Sequence, residues 1–213
     1  TPVEGAYYGA QINKAYKDKR VVETIAVDPL LPVHTAWDLG MDDATTIWLL
    51  QLFKSEVRIV NYYENSGEGL PHYARHLHTW ASHKDVTYGK HYAPHDIKVR
   101  ELGTGKSRLE TARGLGLKFT TVKKLSIIDG IEAVRNLLNR CWFSKNDCYA
   151  GIEALKGYHK EFDSSRGVFR KTPVHDKNSH GADAFRTLAV GLKQPSFGKR
   201  KNTNEYQVKS LSW

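Results

Sequence analysis

Three strand-like segments follow one another between residues 33 and 64, at 33–38, 45–53 and 56–64, with only short turns between them. Gly40 and Asp42-Asp43 mark the first turn, and Lys54-Ser55 marks a tight second one. This run reads as an antiparallel meander, so the middle of the chain is committed to a sheet. Residues 70–82 read as a helix and 86–93 as a fourth strand. Further helices are expected at 107–114, 126–140 and 147–159, with a short strand near 118–122. Residues 160–174 read as a hairpin around Ser164-Ser165-Arg166-Gly167. The last helix is expected over about 179–192, with Ser179 as N-cap and Ala182, Phe185, Ala189 and Leu192 along one face.

With 213 residues, 40% of them hydrophobic and 11% aromatic, the chain is long enough for one full domain with a core. Its longest apolar run, Thr46 to Phe53, is interrupted by Gln51 and is too short to span a bilayer. No signal peptide is visible, and no membrane partner is expected. Cys141 and Cys148 form neither a disulfide framework nor a zinc-ligand pattern, which fits a reducing compartment. Residues 1–32 read as a lead-in, with a helical patch at Ala6–Asp18 and the turn-rich Asp28-Pro29-Leu30-Leu31-Pro32. The main domain is then 33–192. Residues 193–213, with Lys199-Arg200-Lys201 and few apolar anchors, read as a flexible basic tail.

Lys and Arg number 32 against 23 Asp and Glu, a net charge of +9 that suits a nucleic-acid partner. Against this positive background three aspartates stand out. Asp38 ends Val33-His34-Thr35-Ala36-Trp37; Asp96 follows Tyr92-Ala93-Pro94-His95; Asp183 lies in the first turn of the last helix. Taken singly, each has an ordinary reading as a turn residue or a helix cap. Together, two acids at strand ends and one on a late helix can meet at one point, and the order of elements is that of a ribonuclease H-like fold. Three close carboxylates repel one another unless cations neutralise them. Mg²⁺ or Mn²⁺ suits such an all-oxygen site, and two ions would serve phosphodiester hydrolysis. Asp43 reads first as a solvated turn acid and second as a further metal or water ligand. His175 and Asp176, just before the last helix, fit either the site or its supporting loop.

Gly103-Thr104-Gly105-Lys106-Ser107 is not a P-loop, because Arg100 stands where the first glycine is required. Residues 98–124 instead hold eight Lys and Arg against two Glu, a net +6. Lys98, Arg100, Lys106 and Arg108 in this stretch are candidates for contacts to DNA phosphates, with the plain alternative of a solvated charged surface. His95 is a candidate phosphate contact or proton carrier. His72 and His76 share a helix face, but no third zinc ligand accompanies them.

These motifs carry a family resemblance. Asp38-Leu39-Gly40 with Asp43-Ala44-Thr45, Pro94-His95-Asp96, Gly105-Lys106-Ser107-Arg108, and Ser179-His180-Gly181-Ala182-Asp183-Ala184-Phe185-Arg186 together resemble the C-terminal nuclease domain of tailed-phage terminase large subunits. The resemblance is nearest to the headful-packaging, short-tailed-phage type and covers roughly residues 30–192. It implies an α/β fold of the ribonuclease H/integrase-like kind, with a central mixed β-sheet flanked by helices. It implies a metal-dependent endonuclease that cuts concatemeric double-stranded DNA at packaging initiation and termination, in the host cytoplasm, with Asp38, Asp96 and Asp183 as metal ligands. Residues 1–32 would then be a linker or the end of a preceding ATPase domain of the same full-length chain. Portal and small terminase subunit would be further partners. Two other readings remain at this point: a non-catalytic DNA- or portal-docking module, and a resolvase- or integrase-type nuclease on the same fold.

Overall fold

The computed structural model describes residues 3–40, 44–98 and 105–193. Side-chain alternation along strand β3 (Thr45–Phe53) sets up the architecture. Ile47 and Leu49 enter one core with Trp37, Val60, Tyr73 and Leu77. Trp48 and Leu50 enter another with Ala36, Ile59, Phe143 and Phe185. A strand buried on both faces needs a helical layer on each side. Helices α2 (Leu70–Lys84) and α3 (Arg108–Gly114) contribute to the first core. Helices α1 (Gly9–Lys17), α4 (Ile127–Leu138), α5 (Lys145–Gly157) and α6 (Lys177–Lys193) build the second.

The sheet has seven strands: β1 (Val21–Val22), β7 (Cys141–Ser144), β4 (Glu56–Asn65), β3, β2 (Val33–Asp38), β5 (Tyr88–Ala93) and β6 (Phe119–Thr121), in that spatial order. β2, β3 and β4 form the expected antiparallel meander. β5 pairs with β2, β6 with β5, and β7 with β4, all parallel, so the sheet is mixed. The hairpin of β8 (Lys160–Asp163) and β9 (Val168–Pro173) stands apart as its own two-stranded sheet. This is the ribonuclease H-like arrangement read from the sequence.

Small residues let the helices lie close to this sheet. A Cβ at Gly151 of α5 would sit 2.3 Å from the Trp48 ring, and one at Gly191 of α6 would sit 2.5 Å from the Tyr92 ring. Buried Gln51, the polar interruption in β3, donates through Nε2 to the carbonyls of Asp28 and Leu31 and so ties down the 28–31 turn.

The lead-in packs against the rest of the chain. Tyr8, Ile12 and Ala15 are fully buried, and the Tyr7 amide donates to the Tyr158 carbonyl at 2.9 Å. The Arg20 guanidinium, itself buried, donates to the carbonyls of Leu138 and Cys141 at 2.8 and 2.7 Å. β1 then pairs with β7 at the sheet edge. Both strands escape the sequence reading. Ser179 is not the N-cap of the last helix, which begins at Lys177. Asp176 caps it instead, its Oδ1 accepting from the Asn178 amide at 2.9 Å. The expected basic tail lies outside the described residues, apart from Lys193.

Candidate metal and active site

Asp38 closes β2, and strand alternation gives it the same face as Ala36, the face covered by α6. β5 runs parallel to β2, with Ala36 opposite Tyr92, so both strands deliver their carboxyl ends to one edge. Pro94 has no amide to continue the ladder, and the short 3-10 helix His95–Lys98 places Asp96 at that edge. The first turn of α6 is pinned across the sheet. Thr46 Oγ1 donates to the His180 carbonyl at 2.9 Å, and Trp48 Nε1 to the Gly181 carbonyl at 2.8 Å. Asp183 follows almost one turn later and meets the end of β2.

The outcome is a cleft of about 310 Å³ lined by Asp38, Asp96 and Asp183, with His95, Lys123, Lys124 and Arg186 around them. Asp38 Oδ2 lies 3.3 Å from His180 Nδ1, and the His180 ring stands edge-on to His175, 5.4 Å between centroids. Burial pushes the Asp183 carboxyl up to about 6, and the nearby charge of Asp38 pushes in the same direction. Arg186, His180 and His175 oppose the rise. Asp183 Oδ1 is buried and accepts no hydrogen bond from the described residues, although Arg186 Nη2 stands 3.0 Å away. The two charges touch, but no N–H is aligned on the oxygen. A buried carboxylate oxygen without a hydrogen bond, beside a second carboxylate, is the kind of donor that a hard cation takes. Asp96 is exposed on the rim. Among the described residues no group of three His, Cys, Asp or Glu side chains is already drawn in tightly enough to hold an ion. The three acids thus surround one space without closing on a point, and Asp96 is the one with room to turn inward.

The other candidates divide. Asp43 and Arg100 lie outside the described residues. Lys98, Lys106 and Arg108 are not among the described residues that line the cleft. Arg108 Nη1 donates to the Leu39 carbonyl at 2.8 Å and so braces the segment leaving Asp38. Ser107 caps α3 through a reciprocal capping box with Glu110, which gives the Lys106-Ser107-Arg108 stretch a structural reason of its own. His72 bonds Tyr63 and Asn65, and His76 stacks on Tyr63 with ring centroids 3.6 Å apart. The sequence reading did not single out Lys123, Lys124, His180 or Arg186. Arg186 was findable, since three residues past Asp183 on a helix is the same face. Lys123 and Lys124 depend on β6 lying parallel beside β5, which no local pattern announces.

Solved structures similar to this chain include large-terminase proteins of bacteriophages. A large terminase from a thermophilic bacteriophage superposes with a TM-score of 0.61 at 21% identity, over 83% of this chain and 43% of its own. The large-terminase nuclease of thermophilic phage G20c, with bound magnesium, gives 0.59 at 14% identity over 89% and 98%. The large-terminase nuclease domain of bacteriophage SPP1, with bound manganese, gives 0.55 at 14% over 78% and 92%. No protein-family model and no curated protein matches the chain. The fold is therefore ribonuclease H-like. More narrowly, it is the one shared by the nuclease domains of large terminases, and the chain spans less than half the length of the first of these proteins.

Proposed function

We propose that this chain is the nuclease domain of a viral DNA-packaging motor, a metal-dependent endodeoxyribonuclease that cuts concatemeric genome DNA at the start and end of packaging. The observation that carries this reading is the convergence of Asp38, Asp96 and Asp183, from three separate elements, on one cleft at the carboxyl edge of parallel strands β2 and β5. The shared fold supports it, as do the magnesium and manganese found in the G20c and SPP1 nucleases.

Asp38, Asp96 and Asp183 would hold two Mg²⁺ or Mn²⁺ ions. Bound there, the ions would lower the pKa of an attacking water and neutralise charge on the leaving 3′ oxygen. The chain's own residues do the rest. His180 faces Asp38 Oδ2 and steadies its rotamer. Asp183 lines the cleft from α6. Lys123 and Lys124 on the cleft wall attract the duplex that the acids would otherwise repel. Lys98, Arg100, Lys106, Arg108 and His95 would contact phosphates and hence set position and not sequence. The longer thermophilic-phage terminase was crystallised with ADP, and a corresponding ATPase portion of a longer chain would supply translocation here. Portal and small terminase subunit would complete the motor.

The test is nicking of supercoiled plasmid by the purified protein. Cutting should occur with Mn²⁺ or Mg²⁺ and stop with EDTA. Cutting that persists in EDTA, or no cutting with either ion, overturns the reading.

A further inference from the structure

Arg186 closes the motif that carries Asp183, yet nothing above gives its guanidinium a task. Its plain reading is an i,i+3 helix ion pair with Asp183. Three observations exceed that reading. Although it lies 3.0 Å from Asp183 Oδ1, Arg186 makes no aligned hydrogen bond to it. Its position is set by other groups. Nη1 reaches Tyr158 Oη at 3.3 Å, and Tyr158 is itself buried against Tyr8. The aliphatic stem lies against the bare backbone of Gly130 in α4, where a Cβ would meet Arg186 Cδ at 2.3 Å and Cγ at 2.8 Å. Finally, the side chain lines the same cleft as the three acids. A guanidinium carries five N–H donors, and among the described residues Tyr158 accounts for the one hydrogen bond Arg186 donates.

We propose that Arg186 donates to a non-bridging oxygen of the scissile phosphate, making it a catalytic residue of the same nuclease site; the inference rests on the nuclease reading above. A phosphodiester enters the cleft with one negative charge, and attack on phosphorus adds a second to the oxygens around it. A planar fork of donors fits two of those oxygens, which an ammonium does not. Because the stem and Nη1 are already held, the donors need no reorganisation when charge develops, and this is where such groups act most strongly. Lys123 and Lys124 are exposed and serve the duplex as a whole, whereas Arg186 is fixed within the cleft.

The experiment uses the purified chain with Mn²⁺ under single-turnover conditions at saturating plasmid. Alongside, calorimetric titration measures Mn²⁺ binding in the absence of DNA. Arg186→Ala should cut about 100-fold or more slowly. Its Mn²⁺ affinity should hold or rise, because a neighbouring positive charge has gone. Guanidinium ion at low, non-denaturing concentration should restore much of the rate, whereas potassium at equal ionic strength should not. Arg186→Lys, which keeps the charge and serves if alanine fails to fold, should recover only part of the rate. Wild-type cutting by the variants overturns the proposal. So does a loss of Mn²⁺ affinity in step with the rate, or a rate that guanidinium leaves unrestored, since Arg186 would then act only by supporting Asp183. If the wild type itself does not cut, the nuclease reading falls and takes this inference with it. A wild type that cuts beside an unimpaired Arg186→Ala removes this inference alone.

Discussion

Replacing Asp183 with asparagine should abolish cutting and, without metal, make the fold more stable. The carboxyl is pushed from an ordinary 3.8 to about 6, chiefly by burial and further by Asp38, with Arg186 only partly offsetting the rise. The folded protein therefore holds this proton more tightly than the unfolded chain does. Stability falls as pH rises between 3.8 and about 6, and the full cost stands above that window. Each pK unit corresponds to about 1.4 kcal/mol, so at pH 8 the ionised carboxylate costs the apo fold about 3 kcal/mol. Roughly half of that is already present at pH 5. Asparagine carries no titrating proton, so its stability relative to wild type should be greater at pH 8 than at pH 5 by about 1–2 kcal/mol. Comparing the two pH values cancels any steric effect of the amide. The assay is urea unfolding of both proteins in EDTA at each pH. Saturating Mg²⁺ should then stabilise wild type and leave Asp183→Asn nearly unmoved. An asparagine variant whose relative stability is the same at both pH values would refute the claim that the site stores electrostatic cost for a cation to relieve.

Asp38→Asn and Asp96→Asn should each abolish plasmid cleavage with circular dichroism unchanged, because each supplies charge to one cleft. Lys123→Ala combined with Lys124→Ala should weaken binding of every duplex sequence and lower the magnitude of the salt slope by about 2. In the same gel-shift titration Lys106→Ala should lower it by no more than about 1. Ca²⁺ should support DNA binding but not cutting, as its longer bonds and larger ligand count misplace the attacking water. Gly151→Ala should lower stability by about 1–3 kcal/mol in urea unfolding, because its Cβ meets Trp48 and Tyr62.

Period and turn chemistry carried most of the fold. The 33–64 meander, the helix at 70–84 and the strand ending before Pro94 are each long enough to show a repeat and are bounded by breakers. β1 and β7 were not read; β7 lies between α4 and α5 with no Gly or Pro to set it off. The placement of α1 inside the domain was hidden for a related reason. Tyr7 and Tyr8 look like any aromatic pair until Tyr158, more than a hundred positions away, packs against them. The three acids could be named because each follows a recognisable local signal, a strand end or a helix start. Their surroundings could not. Which cations face the cleft depends on β6 beside β5 and on α4 beside α6. Lys123, Lys124 and Arg186 therefore line it, whereas Arg108 turns back to brace Leu39.

Anomalous diffraction from crystals soaked in Mn²⁺ addresses the acid cleft most directly. Manganese should appear between Asp38, Asp96 and Asp183, with Asp96 turned inward and carboxylate oxygens within about 2.5 Å of the ions. Manganese bound at other residues, with this cleft empty at a concentration that supports cutting, would contradict the assignment of these three aspartates as the nuclease centre.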